Sequence, residues 1–215
     1  MGEMVNSYLT VAAMVGIVFA ITGATFTGNF VRVQVFLSCH MLHTLGTGWW
    51  TISGWGDTTT AYFWFYTALT VPLLLSEMYI AFRALDQCPP RLQDRFFMAA
   101  IVAAVAVFML AVRPERSGVL MALQVFVLTF AGILTRAAAE NFEDGTTAAP
   151  YRTLGTLWLV QAIMFFLYAK GVTADRQPWE AIGNALPKVV MLVGMLALGR
   201  EMLRVGATPL HEVHK

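Results

Sequence analysis

Two ionisable side chains stand at the edge of, or inside, long apolar stretches, where a charge is costly. Lys188 interrupts the run 181–199, and Glu77 directly follows the run 58–76. Ionisable groups within membrane segments are rare and are functional candidates by default. Lys188 lies roughly ten residues, or about 15 Å, from either end of its predicted helix, which makes snorkelling to water difficult. Desolvation favours its neutral amine, the nucleophile that forms Schiff bases, although a lysine facing a water-filled cavity is the plainer alternative.

The residues that precede Lys188 suit a bound group. Asn184 stands four residues earlier and therefore shares a helical face with Lys188. Its amide can hydrogen-bond a nitrogen atom without charging it. Pro187 lacks an N–H, so it leaves the carbonyl of Gly183 without its helical partner. The alternative interpretation is an ordinary membrane-helix proline.

A second set of polar side chains follows one stripe of the segment before Glu77. Tyr66, Thr70 and Glu77 are spaced by four and seven residues. In a helix of 3.6 residues per turn they fall within about 40° of one another. A phenol, a hydroxyl and a carboxylate would then line up along the membrane normal, as a proton relay requires.

The composition excludes a soluble domain. Of 215 residues, 58% are hydrophobic and only 13% are charged, against about 25% in ordinary globular domains. The mean hydropathy is +0.64. The net charge is +1 and no basic run occurs, so nucleic acid is not an expected partner. We therefore predict an integral membrane protein whose immediate partner is the lipid bilayer.

Runs without Asp, Glu, Lys or Arg predict the architecture. Each long run can form a membrane helix of about 20 residues. We predict an all-α protein, a seven-transmembrane-helix bundle in one domain over 1–215, with the first run retained and not cleaved as a signal peptide. The predicted helices cover about 4–29, 32–54, 59–84, 94–112, 117–138, 151–171 and 178–204.

The distribution of basic residues predicts the orientation. With the N-terminus outside, nine Lys and Arg residues fall on inner loops and the tail and four on outer loops. This bias favours an outer N-terminus and a cytoplasmic C-terminus. The expected location is the cell membrane, plasma or inner, which the chain crosses several times.

The order of these residues resembles that of microbial (type 1) rhodopsins. The segment 62–79, with its Leu-Thr-Val-Pro-Leu-Leu run and inner-side Glu, resembles the third helix of the proteorhodopsin branch. The segment 184–188 is similar to the Asp-x-x-x-Lys of the seventh helix in that family. Trp158 and Phe165, seven residues apart, resemble the aromatic residues that sandwich the retinal ring. His40 resembles the second-helix histidine of proteorhodopsins.

This resemblance implies a cofactor and a binding site. The cofactor would be all-trans retinal, bound covalently to Lys188 as a Schiff base and isomerised by light. Tyr66 and Asn184 would flank the Schiff base, and Glu77 and His40 would relay protons. The pocket would be shaped by Thr67, Thr70, Trp158, Gln161 and Phe165. The family resemblance also implies a homo-oligomer, from trimer to hexamer.

The sequence departs from the family at the charged positions. The Arg-Tyr-x-Asp-Trp pattern of the pumps reads Phe63-Trp64-Phe65-Tyr66-Thr67 here. Both counter-ion carboxylates are thereby replaced, by Tyr66 and Asn184, and the arginine is replaced by Phe63. Of the carboxylates that the pumps carry, only Glu77 remains, at the proton-donor position.

A protonated Schiff base without an opposite charge is penalised by desolvation, which leaves three hypotheses. The first is a neutral Schiff base at pH 7, with absorption in the near ultraviolet. The second is Tyr66 as a tyrosinate counter-ion. The third is a bound anion such as chloride, with His40 or His43 supplying a charge.

These departures favour a sensor, a photoswitch or a weak pump over an efficient pump. One alternative is a light-driven proton or anion transporter. Another is a transporter or membrane enzyme that binds no retinal and uses Lys188 and Glu77 for substrate or protons. A signalling partner would be a separate protein, because the polar tail of a fused transducer is absent.

Other constellations are weak. Cys39, His40 and His43 lack a nearby carboxylate, so we expect no metal site. The order of residues contains no Ser-His-Asp or metalloprotease pattern, so we predict no catalytic residues and no enzyme.

Overall fold

A computed structural model describes residues 2–28, 30–53, 60–86, 116–142, 145–173 and 177–207, together with 93, 94, 97 and 101. The described residues contain no β-strand. Their α-helices are α1 (Gly2–Thr27), α2 (Val31–Ile52), α3 (Thr60–Leu85), α4 (Arg116–Ala139), α5 (Gly145–Thr173) and α6 (Gln177–Ala207).

These helices pack as a ring in which each contacts the next along the chain, and α6 closes against α1. α2 and α3 are antiparallel. The rings of Trp50 and Tyr62 lie 5.4 Å apart near one end of the pair, and the Arg32 guanidinium lies over the ring of Tyr79 near the other. We call the end of the ring where α1 begins the first end, and the opposite end the second end.

α3 and α4 run in the same direction. The Tyr66 phenol pairs with Gln124, and sixteen residues further along α3 the ring of Phe82 lies 5.9 Å from that of Phe130. The second contact lies closer to the C-terminal end than the first on both helices, so the two helices are parallel. α3 therefore ends at the second end of the ring, whereas α4 begins at the first.

α2 and α5 meet across the interior of the ring. Phe30, just before α2, lies 6.1 Å from the ring of Tyr151, and Phe36 lies edge-to-face with Trp158 at 5.3 Å. Phe36 and Trp158 are both fully buried. Edge-to-face aromatic pairs add about 0.5–1.5 kcal/mol beyond the burial of their area. This contact fills the centre of the ring toward the second end.

The close approach of neighbouring helices depends on small residues. A Cβ added to Gly23 of α1 would lie 2.8 Å from the carbonyl oxygen of Gly199 of α6. Between α4 and α5, a Cβ added to Gly155 would lie 2.8 Å from the backbone nitrogen of Arg136 and 2.9 Å from the carbonyl oxygen of Gly132. Membrane helices associate through such small-residue contacts, because lipid supplies no hydrophobic drive between them.

The outward faces of the helices are also apolar. Val15, Leu45, Leu75 and Val193 have between 48% and 64% of their surface exposed. A helix that is hydrophobic both toward the core and toward its surroundings is typical of a membrane segment. Among the described residues, three helical stretches are long and apolar enough to cross a membrane: Ser7–Thr27, Thr60–Leu85 and Ala122–Ala139. We conclude that this is a membrane protein.

The prediction of a seven-helix bundle is wrong, although the all-α class is consistent with the structure. The described residues form six helices, of which three contain a candidate span. The prediction failed because it counted uncharged runs, and an uncharged helix is not necessarily apolar. α2 shows this: its sequence carries Gln34, Ser38, His40 and His43, which lower its mean hydropathy. The predicted fourth helix, 94–112, lies almost entirely outside the described residues.

Replacing Gly155 by alanine tests the close contact of α4 with α5. The new Cβ would meet backbone atoms of Arg136 and Gly132 at under 3.0 Å, so the helices must separate. We expect a loss of about 1–3 kcal/mol of stability, the usual effect of overpacking, seen as a lower unfolding temperature in detergent.

Gly48→Ala is the matched control for this variant. Its Cβ would lie 3.6 Å from Cγ2 of Thr10, an ordinary van der Waals distance. We expect an almost unchanged unfolding temperature. Equal losses in the two variants would contradict the close contact of α4 with α5.

Candidate functional site

Hydrogen bonds join α2, α3 and α4 in a polar network made of His43, Thr70, Tyr66 and Gln124. His43 Nε2 lies 3.2 Å from the Thr70 hydroxyl, and the Gln124 amide donates to the Tyr66 hydroxyl at 3.0 Å. Thr70 and Gln124 are buried. Tyr66 and Thr70 stand one turn apart on α3, so the two pairs are adjacent along that helix. The polar network thus links three helices through uncharged donors and acceptors.

Aromatic rings continue the polar network in both directions. The rings of Tyr66 and His43 meet edge-to-face at 5.3 Å, and His40 stacks with His43 at 6.4 Å. Toward the first end, Tyr62 lies 5.7 Å from Tyr66 and 5.4 Å from Trp50. A column of phenol, imidazole and indole rings therefore runs from the first end into the interior.

Lys188 lies on the face of α6 that turns toward the core. It is partly buried, and it shares its helical face with Met191 and Met195, three and seven residues later, which are both buried. Opposite on α5, the Gln161 amide donates to the sulfur of Met191 at 3.7 Å. Two buried methionines therefore lie on the helical face of Lys188, and the Gln161 amide contacts one of them from α5.

The register of the helices gives Lys188 the same depth as the polar network. α2 and α5 are parallel, and Phe36 of α2 contacts Trp158 of α5. His43 and Phe165 each follow this contact by seven residues, so they lie at the same depth. α5 and α6 are antiparallel. The contact of Gln161 with Met191 therefore brings Lys188 to within about one residue of the depth of Phe165.

Glu77 occupies the second half of the interior. Its side chain is 2% exposed, and its Oε2 has no hydrogen-bond partner among the described residues. Glu77 follows Thr70 by seven residues, which places it roughly 10 Å further along α3, at the depth of the Phe36–Trp158 contact. Glu77 therefore lies about two helical turns from the depth of Lys188.

Other buried polar atoms lack a partner in the part of the chain that the structure describes. They are Nδ1 of His40, Oγ1 of Thr135 and Nε1 of Trp158. A buried polar group without a hydrogen bond costs about 1–3 kcal/mol, so native proteins contain few of them. Together with Oε2 of Glu77, these atoms come from α2, α3, α4 and α5.

The structure brings together some of the predicted site residues and not others. Tyr66 and Thr70 belong to the polar network, and Trp158 and Gln161 are buried on α5. Thr67 differs, because its hydroxyl bonds the backbone carbonyl of Phe63 at 2.7 Å on its own helix.

Phe165 of α5 packs, partly buried, against the core. The side chain of Asn184 lies outside the described part of the chain. The predicted flanking role of Asn184 therefore stays a prediction.

Sequence reasoning missed Gln124. It is the single amide in the uncharged run 117–135, and this was the available signal. A lone amide in an apolar membrane helix needs a partner inside the protein, since lipid offers none. Tyr66 provides that partner.

Comparison with known proteins adds no relative: no family model, no curated protein and no solved structure matches the chain. The likeness to microbial rhodopsins rests on the sequence motifs described above.

The Tyr66–Gln124 pair can be tested by a double-mutant cycle. Tyr66→Phe leaves a buried amide without its phenol partner, and Gln124→Leu leaves the phenol without its amide partner, so each should destabilise by about 1–3 kcal/mol. The double variant removes both polar groups. We expect the loss of unfolding free energy in the double variant to be smaller than the sum of the two single losses. The difference should be at least about 0.5 kcal/mol, within the range of about 0.5–3 kcal/mol for coupled neighbours. Strictly additive losses in chemical unfolding would show that the pair is not energetically coupled.

Proposed function

We propose that this membrane protein binds retinal covalently through Lys188 and acts as a light sensor or photoswitch of the microbial rhodopsin type. The observation that carries the proposal is the position of Lys188, partly buried on the inner face of α6 at the depth of the polar network. The sequence resemblance supplies the identity of the cofactor. We place the protein in the cell membrane as a homo-oligomer.

The residues near Lys188 fit an apolar rod with one reactive end. A partly desolvated lysine suits condensation with an aldehyde, in which the amine nitrogen bonds to the carbonyl carbon and water leaves. Buried Trp158, Met191 and Met195, with partly buried Phe165, supply the apolar walls. Retinal, when bound, supplies the light-driven isomerisation.

The polar network would hold two hydroxyls in fixed positions and add no charge. Tyr66 is paired with the neutral amide of Gln124, and Thr70 with His43. No carboxylate takes part in these bonds. A cationic nitrogen at this depth would lack a counter-charge from the network, and desolvation then favours its neutral form. A neutral linkage at pH 7 suits a sensor better than a pump, which needs an acceptor carboxylate near the nitrogen.

Adding all-trans retinal to the purified protein tests this proposal directly. We expect a shifted near-ultraviolet band at pH 7 that depends on Lys188 and disappears in Lys188→Ala. Lys170→Ala removes another lysine and is the control, in which the band should persist.

Each other spectrum has a defined meaning. A visible band that depends on Lys188 would show that the nitrogen is charged; a shift in Tyr66→Phe would then identify tyrosinate, and a dependence on chloride would identify a bound anion. A spectrum independent of Lys188 would overturn the proposal. It would favour a retinal-free transporter or membrane enzyme that uses Lys188 and Glu77.

A second candidate, light-driven proton transport, is favoured by one observation. Glu77 is buried, and its Oε2 has no partner within the described residues. A carboxyl group in that state suits proton exchange with the nitrogen on Lys188, along the stripe that also carries Thr70 and Tyr66. This route would cover roughly 10 Å along α3, from the depth of the Phe36–Trp158 contact to that of the polar network.

Illuminated cells distinguish the sensor from the transporter. For a sensor we expect no sustained change in external pH, whether or not Glu77 is replaced by Gln. A light-driven pH change that a protonophore abolishes and Glu77→Gln prevents would establish transport. The retinal spectrum of each variant serves as the control for folding and cofactor binding.

A further inference from the structure

An open groove lies on the outside of the ring, between α5 and α6, with α4 at one end. Its volume is about 490 Å³. Val193, on its wall, is 61% exposed, so the groove faces the surroundings of the protein and not the core. It is lined by Arg136, Arg152, Thr153, Thr156, Leu157, Val160, Val189, Val190, Val193 and Gly194. Lys188 is not among these residues, so the groove is separate from the candidate functional site.

The two ends of the groove differ in chemistry. Arg136, near the end of α4, and Arg152, near the start of α5, stand together at the second end of the ring. The Arg136 guanidinium donates to the Thr156 hydroxyl at 2.8 Å, which positions it over the groove. Neither arginine forms an ion pair with a described residue. The ion pairs found in that part of the chain are Arg83–Asp86 and Arg204–Glu201. One end of the groove therefore carries two arginines that form no ion pair with a described residue.

The rest of the groove is apolar. On α5, Leu157 and Val160 continue the stripe that begins at Thr153, and this stripe covers roughly 10 Å of helix. On α6, Val189 and Val193 form the opposite wall. Leu157 packs against Gly194, where an added Cβ would collide with the leucine side chain. The floor of the groove is therefore smooth and runs from the arginines toward the middle of the membrane.

We propose that this groove binds one anionic phospholipid. Its phosphate would lie against Arg136 and Arg152, and one acyl chain would lie along Val160 and Val193. Guanidinium groups bind phosphate oxygens in a bidentate manner. Two unpaired arginines at the end of a membrane helix bundle suit an anionic headgroup, and the apolar wall suits its hydrocarbon chain. Free phosphate would leave that wall uncovered. The proposal rests on the membrane location of the protein and not on its binding of retinal.

Native mass spectrometry of the full-length protein tests the site. The protein in detergent is titrated with phosphatidylglycerol or phosphatidylcholine of identical chain length. We expect one phosphatidylglycerol to be retained with clear preference. Arg136→Gln/Arg152→Gln should weaken its binding roughly 30-fold, the equivalent of about 1 kcal/mol for each arginine.

Arg32→Gln/Arg83→Gln is the matched control. It removes the same charge from exposed residues at the same end of the ring, on α2 and α3, outside the groove. We expect its lipid binding to be unchanged. Should the double variant Arg136→Gln/Arg152→Gln fail to fold, Arg152→Gln alone avoids the bond to Thr156 and should weaken binding about fivefold.

Val193→Trp tests the apolar wall without changing any charge. It should reduce retention of phosphatidylglycerol at least as strongly as Arg152→Gln. Equal binding of the two lipids, or loss in the control that matches the loss in the groove variant, would overturn the proposal. So would displacement by inorganic phosphate combined with unchanged binding in Val193→Trp, because that result would describe a phosphate site without an acyl chain.

Discussion

α1 and α6 approach each other so closely at Gly23 and Gly199 that a single methyl group would collide with the backbone. This contact closes the ring, because it joins the first described helix to the last. Without this contact, the ring would be open between α1 and α6, and the inner face of α6 would be more exposed. The placement of Lys188 therefore depends on it, and so do the buried positions of Met191 and Met195 on the same face.

A closed ring in a membrane must satisfy its own polar groups. Gln124 and Tyr66 do so for each other, and His43 does so for Thr70. The Thr67 hydroxyl instead donates to a backbone carbonyl of its own helix, that of Phe63. The polar network holds α2, α3 and α4 in one register. It thereby provides uncharged hydrogen-bonding groups at the depth of Lys188.

The interior is divided along its length. The Phe36–Trp158 contact spans the ring from α2 to α5, and Glu77 lies at its depth and not at the depth of Lys188. α5 and α6 also serve two environments: Lys188 faces inward, whereas its neighbour Val189 lines the outer groove. The interior site and the outer groove therefore share α5 and α6.

The sequence alone was enough to identify an all-α membrane protein and to select Lys188 and Glu77. Both conclusions rest on composition and on single charges in apolar runs, which are local properties of the chain. The prediction of seven membrane-spanning helices was wrong, since the described residues contain three candidate spans and the absence of charge does not measure hydropathy. Tertiary structure alone decided that Tyr66 pairs with Gln124, and that Arg136 and Arg152 meet at one groove. Such pairings depend on the rotation and register of neighbouring helices, which local sequence does not encode.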